Sequence, residues 1–171
     1  MVTIDAFPQL TKTPEQYTAV VRERVAMTDL SDFFARAFGA VMAAAQAQHT
    51  TPTGPPFALY HGMPTDTVDV EAGFPVTPNF SDAGDVVAHT LPESEAFVAL
   101  HRGPFETLQQ TYALILERMS AAGKTPSDTM WEFYLSDPEK QPDPETWQTR
   151  VVWPVVPDDS RGRGSLLPGS S

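Results

Sequence analysis

The chain contains no cysteine. That excludes a disulfide framework, a thiolate-held zinc, an iron–sulfur cluster and a cysteine nucleophile. Basic residues are also scarce: 11 Lys and Arg stand against 22 Asp and Glu in 171 residues, a formal net charge of −11. Duplex binding is driven by basic side chains that neutralise phosphates, so nucleic acid is not expected as a partner. An acidic field instead concentrates cationic solutes. Met1 to Leu10 carries Asp5 and has neither a basic start nor an apolar run. No signal peptide and no membrane anchor are expected, and a cytoplasmic protein without membrane contact is the expectation. Also missing are a Gly-x-Ser-x-Gly elbow, a phosphate-cradling glycine loop and a dinucleotide fingerprint. The four histidines, His49, His61, His89 and His101, do not recur at i, i+4 or beside acids at ligand spacing. No metal site and no cofactor is expected.

Apolar residues make up 41% of the chain, enough for the core of one domain or one duplicated unit. Residues 1–15, with Pro8 and Pro14, read as a lead-in. Tyr17 to Val25 is a strand candidate. Thr28 and Asp29 offer caps for a helix whose stripe Leu30, Phe33, Phe34, Ala37, Phe38, Val41, Met42 and Ala45 follows i, i+3, i+4, i+7 spacing. Pro52 to Pro56 stops it. Strands are predicted at Phe57 to His61, Thr67 to Val76, Val86 to His89 and Ala96 to His101. Gly103-Pro104 opens a second helix, with Leu108, Tyr112, Ile115 and Met119 on its buried face and Gly123 at its end. Met130 to Leu135 and Thr146 to Val155 are the last strands. The tail 157–171 is Gly, Ser, Pro and Arg without periodicity and is expected to be disordered.

The two halves echo one another. Phe57-Ala58-Leu59-Tyr60 with Pro64 matches Trp131-Glu132-Phe133-Tyr134 with Pro138 at a constant offset, and Gly73-Phe74-Pro75-Val76 resembles Val152-Trp153-Pro154-Val155. The expected fold is α+β: a tandem duplication of a strand–helix–strand–strand unit, about 16–80 and 86–156, within one domain of residues 1–156. Pooled strands would give a curved, mainly antiparallel sheet with two helices on one face and a ligand groove on the other.

Alternation on the strand 130–135 puts Met130, Glu132 and Tyr134 on one face and Trp131, Phe133 and Leu135 on the other. An unpaired carboxylate beneath the helices would be costly, so Glu132 is expected to look into the open groove with Tyr60, and small Ala58 opposite it leaves space. Aromatic rings around one acid suit a flat apolar cation. The structural alternative is a salt bridge from Glu132 to Arg22, Arg24 or Arg150. Trp131 belongs by parity to the helix-side core, from which it could swing to line the groove. Tyr112 reads as core, Glu71 as a solvated edge residue, and Trp147 and Trp153 as groove wall or core.

Pro55-Pro56-Phe57-Ala58-Leu59-Tyr60-His61 and Val68 to Val76 resemble the first half of the GyrI-like small-molecule-binding domains. These also serve as effector-binding domains of AraC- and MerR-type regulators. His101 to Leu108 with Tyr112 is similar to that family's second-helix entry, and Trp131 to Pro138 with Thr149 and Pro154-Val155 to its closing hairpin. The resemblance covers about 16–156. It implies that Glu132 is the pocket glutamate, and that the walls are drawn from Tyr60, Trp131, Tyr134, Tyr112, Trp153 and Trp147. About fifteen residues precede the first predicted strand, too few for a helix-turn-helix, so a stand-alone domain is expected.

The expected function is polyspecific binding of hydrophobic aromatic, often cationic small molecules such as drugs or toxins, by a protein that is not an enzyme. The alternative, implied by the same resemblance, is a hydrolase that opens the cyclopropane of DNA-alkylating natural products. Glu132 would then be the catalytic residue acting on water. A protein partner such as a topoisomerase is possible for the family, but the acidic residues here are scattered rather than arrayed in runs.

Overall fold

In the computed structural model, which describes residues 3–62, 65–136, 140 and 142–156, the chain forms eight strands and two α-helices. The first half runs β1 (Thr3–Thr13), β2 (Gln16–Ala26), α1 (Leu30–Ala47), β3 (Phe57–His61) and β4 (Thr67–Pro75). The second runs β5 (Val87–Leu91), β6 (Ser94–Arg102), α2 (Leu108–Ala121), β7 (Thr129–Tyr134) and β8 (Gln148–Pro154). The expected tail 157–171, and the Pro64 and Pro138 of the internal echo, lie outside the described residues.

All strands join one sheet in the order β1-β6-β8-β7-β3-β4-β2-β5, and every neighbouring pair is antiparallel. The order reads the same from either end once β1 to β4 are exchanged for β5 to β8. The two halves meet where β3 pairs with β7, and Ala58 lies opposite Glu132 there. The α+β class, the curved antiparallel sheet and the two helices are as expected from the sequence.

The stretch expected to be a lead-in is a strand. β1 is an edge strand that pairs with β6, and its register shifts between Ala6 and Gln9, around Pro8. At an edge irregularity the missing proline N–H removes no ladder bond, so proline is tolerated. Similarly, β5 pairs with β2, so each leading strand sits in the other half of the sheet.

Helix ends depart slightly from expectation. Short 3-10 turns, Met27–Asp29 and Phe105–Thr107, precede both helices, and Asp29 makes no side-chain capping bond. α2 ends as its glycine suggests. Gly123 is left-handed (φ 70°), its N–H reaches the Ser120 carbonyl at 3.1 Å, and the Lys124 N–H reaches that of Met119 at 2.8 Å.

Both helices cover one face of the sheet. Phe33, Ala37, Val41 and Ala45 of α1 pack with Ala58, Val70 and Ala72, while Leu108, Ile115 and Met119 of α2 pack with Met130 and Val151. The opposite face is not open. The sheet curls so that Val20, Leu91 and Ala96 close over Phe57, Leu59, Trp131, Phe133 and Val152 in a core of their own. Burial of such side chains contributes about 1.5–3 kcal/mol each. Glycine is required at one point of this curl: a Cβ on Gly73 would collide with the Ala19 carbonyl oxygen of β2.

Glu71 is a further correction. It was expected at a solvated edge, but β4 is an interior strand and Glu71 is buried. Its carboxylate oxygens lie 2.6 Å from His61 Nε2 and 3.0 Å from His89 Nδ1, which satisfies the buried charge.

Candidate ligand-binding site

The alternation on β7 is as read from the sequence, but the faces are exchanged. Glu132 points to the helix side, and Trp131 is buried in the core of the far face. The groove expected opposite the helices is therefore on their own side. α1 and α2 each sit over one half of the sheet and leave a gap above the β3–β7 seam. That gap is a cavity of about 1410 Å³. An acid on this side is tolerated because it faces a cleft rather than a packed helix.

Tyr60 of β3 and Glu132 and Tyr134 of β7 form the polar floor. The Tyr134 hydroxyl donates to Glu132 Oε1 at 2.9 Å, and Tyr60 and Tyr134 are themselves hydrogen-bonded. The three groups thus form a chain that ends on the carboxylate.

Glu132 is 1% exposed, and its Oε2 has no hydrogen-bond partner among the described residues. Desolvation raises its pKa from 4.5 to about 7, partly opposed by the Tyr134 hydrogen bond. Burial also pushes both phenols above their ordinary range, reinforced by the nearby carboxylate. Among the described residues, no arginine meets Glu132. Arg22 pairs with Asp69 at 2.8 Å, Arg24 donates to Thr67, and Arg150 lies over the Phe133 ring on the far face.

Tyr112 and Trp153 line the α2 side, edge to face at 6.3 Å between ring centroids. The Trp153 Nε1–H donates to the Ser127 carbonyl at 3.1 Å, which fixes the indole in the wall. Five of the seven residues singled out from the sequence, Glu132, Tyr60, Tyr134, Tyr112 and Trp153, line this one cavity. Trp131 and Trp147 do not. Trp131 belongs to the far core, and Trp147 precedes β8, its carbonyl accepting the Gly103 N–H at 2.8 Å.

The opposite wall was missed. Phe34 and Phe38 of α1 and Phe74 of β4 line the cleft, with Met27 and Leu30 at its rim. Phe34 and Phe38 belong to the apolar stripe read from the sequence. The buried ridge of α1 is Phe33, Ala37, Val41 and Ala44, and its neighbours one position on are rotated about 100° toward the cleft. An apolar stripe wider than one ridge was the available signal. Among the described residues that line the cavity there is no Lys, Arg or His, but there are three acids, Glu132, Asp128 and Glu106.

Among the described residues, no helix is long and apolar enough to cross a membrane, and no group of three His, Asp or Glu is arranged to hold a metal ion.

Comparison with known proteins places this geometry. No curated protein matches the sequence. Among solved structures, the C-terminal domain of EcmrR superposes with a TM-score of 0.78 at 19% identity, covering 89% of this chain and 98% of that one. In the cryo-EM structure of the EcmrR–DNA complex in EcmrR-RPo the TM-score is 0.77 at 22% identity. That match covers 86% of this chain, which spans 56% of the EcmrR chain. SAV2435, solved with bound tetraphenylphosphonium, gives 0.63 at 15% identity, over 87% of this chain and 93% of that one. A hydrolase from Listeria innocua gives 0.61 at 18%, over 90% and 94%. The EcmrR complex corrects the expectation that nucleic acid is no partner: the fold occurs within a regulator that is bound to DNA. A net charge of −11 on one domain does not speak for the DNA contacts of an assembly that contains such a domain. The two-helix, curled-sheet fold, the cleft between the helices and the family model matching residues 7–156 lead to one assignment: this chain belongs to the GyrI-like small-molecule-binding domain family.

Proposed function

We propose that the protein binds lipophilic aromatic cations of varied structure, drugs or toxins among them, and so sequesters or senses them. One observation carries this. Among the described residues, the Glu132 carboxylate has one oxygen unpartnered and lies at the floor of a large cavity walled by aromatic rings and lacking basic side chains. A cation stacked on Tyr60, Tyr112 or Trp153 replaces the lost solvation of Glu132, and each contact supplies attraction that a neutral ligand cannot. Breadth of binding follows from the wall chemistry. Rings and the methionines Met27 and Met130 offer area with little directional demand. Tetraphenylphosphonium bound to SAV2435 is a cation of this class on the same fold. Calorimetric titration with a panel of lipophilic cations is the test. Binding of several unrelated members at micromolar concentration is expected, and failure of all of them overturns the proposal.

A second function is favoured by the Tyr60–Tyr134–Glu132 chain and by the hydrolase among the structural neighbours. With a pKa of about 7, Glu132 is poised as a general base. It would take a proton from water as the water oxygen attacks a cyclopropane carbon of a dienone. The strained carbon–carbon bond breaks, its electrons pass to the carbonyl oxygen, and a tyrosine hydroxyl stabilises the phenolate formed. Mass spectrometry of a cyclopropane-bearing substrate separates the two functions: a gain of one water identifies the hydrolase, and unchanged mass with binding identifies the binder.

A further inference from the structure

Glu132 is not the only acid along the floor of the cleft. Asp128 immediately precedes β7, lines the same cavity and is exposed at its mouth. Its main chain is held in place, since its carbonyl accepts the Gly62 N–H at 2.6 Å. Among the described residues nothing forms an ion pair or hydrogen bond with its carboxylate. Met130 and Glu132 share strand parity on β7, Asp128 sits at the bend just before it, and all three line the cavity. Four residues of extended chain span at most about 13 Å, which bounds the separation of the two acids' Cα atoms. Between them Met130 lies opposite Tyr60 in the β3–β7 register, so the floor joining the acids is apolar and aromatic.

We propose that the cleft is matched to elongated dications, with one positive group against Glu132, the second against Asp128 and an apolar or aromatic spacer over Met130 and Tyr60. This rests on the cation-binding function given above and narrows its ligand class. The buried, unpartnered Oε2 of Glu132 is an independent sign that a ligand group belongs at the inner position. The outer acid is wetter, so its contribution is smaller and screened by salt. Glu106, at the start of α2, also lines the cavity but lies beyond the Tyr134 end of β7, on the other side of Glu132. A linear ligand anchored on Glu132 therefore has two directions to extend, and the apolar, aromatic floor of Met130 and Tyr60 favours that of Asp128.

The test uses one aryl quaternary ammonium in three forms. The first is a bis-quaternary compound with nitrogens about 13 Å apart. The second ends its chain of equal length in a neutral group, and the third is a bis-quaternary compound with roughly half that spacing. Affinities are measured by calorimetry at low salt for wild type, Asp128→Asn, Glu106→Gln and Glu132→Gln. The long dication is expected to bind about threefold more tightly than its neutral-ended analogue, and the short one to lose most of that advantage. Asp128→Asn should bring the ratio close to one, and Glu106→Gln should preserve it. A ratio unchanged in Asp128→Asn, or erased by Glu106→Gln instead, overturns the proposal. If the neutral-ended monocation binds in a Glu132-dependent way while the ratio ignores Asp128, only the dication match fails. If the monocation does not depend on Glu132, the underlying function fails as well.

Discussion

Ala58 and Glu132 face each other across the β3–β7 seam, and they occupy equivalent places in the two halves. Their surroundings differ. Ala58 is fully buried in the core beneath α1, whereas Glu132 opens to the cleft between the helices. One position thus serves packing in the first half and charge in the second.

This asymmetry predicts opposite mutational outcomes. Ala58→Glu places a carboxylate in a packed core with no partner and should cost about 3 kcal/mol or more. Glu132→Gln should leave stability unchanged or raise it by about 1–3 kcal/mol near pH 8, because it removes a desolvated charge. Urea unfolding of both variants checks this. Comparable destabilisation by the two changes contradicts the placement of Glu132 in a cleft.

The raised Glu132 pKa makes stability and binding depend on pH in opposite directions. A folded-state pKa of about 7, above the ordinary 4.5, means that between these values the folded protein binds more protons than the unfolded chain. This contribution is fully present below pH 4.5 and is lost as pH rises through 7, about 3 kcal/mol in all. Wild type should therefore lose stability relative to Glu132→Gln across that window and level off above it. Affinity for a permanent cation should instead rise with pH until Glu132 is ionised, with proton release on binding near pH 7. Calorimetry in buffers of different ionisation heat measures that release, and its absence contradicts the assignment.

Tyr134→Phe tests the hydroxyl chain. The Tyr134 O–H stabilises the ionised carboxylate, so its loss should move the midpoint of pH-dependent binding upward. Ring contacts persist, and the plateau affinity at high pH should fall only modestly. A midpoint that moves down, or stays fixed, contradicts the chain.

The two faces of the sheet can be told apart by fluorescence. Trp153 lines the cleft and Trp131 lies in the far core. An aromatic cation should change the emission of wild type and of Trp131→Phe, while Trp153→Phe should lose most of the change. The reverse pattern restores the groove to the face opposite the helices.

Much of this arrangement is written locally. The alternation Met130, Glu132, Tyr134 against Trp131, Phe133, Leu135 needs only the strand period, and both helices follow from their apolar spacing. Which face the helices cover is a tertiary property. Placing the acid away from them assumed that helices seal the side they cover, whereas the curl of the sheet seals the other side. β1 was missed because Pro8 and Pro14 outweighed the alternation of Thr11, Lys12 and Thr13. The recurrence of Pro14-Glu15 as Pro92-Glu93, before β2 and β6, was the readable clue. The clasp of Glu71 by His61 and His89 joins three strands, and no local pattern encodes it.

The central claim is that Glu132 acts as counter-charge for a cation in the cleft. It is tested most directly by calorimetric titration, at pH 8, of tetraphenylphosphonium and a neutral tetraphenyl analogue of equal size into wild type and Glu132→Gln. The substitution should weaken the cation by about 1.5–3 kcal/mol and change the neutral compound little, since the aromatic walls remain. Equal losses for both compounds, or none for either, contradict the claim.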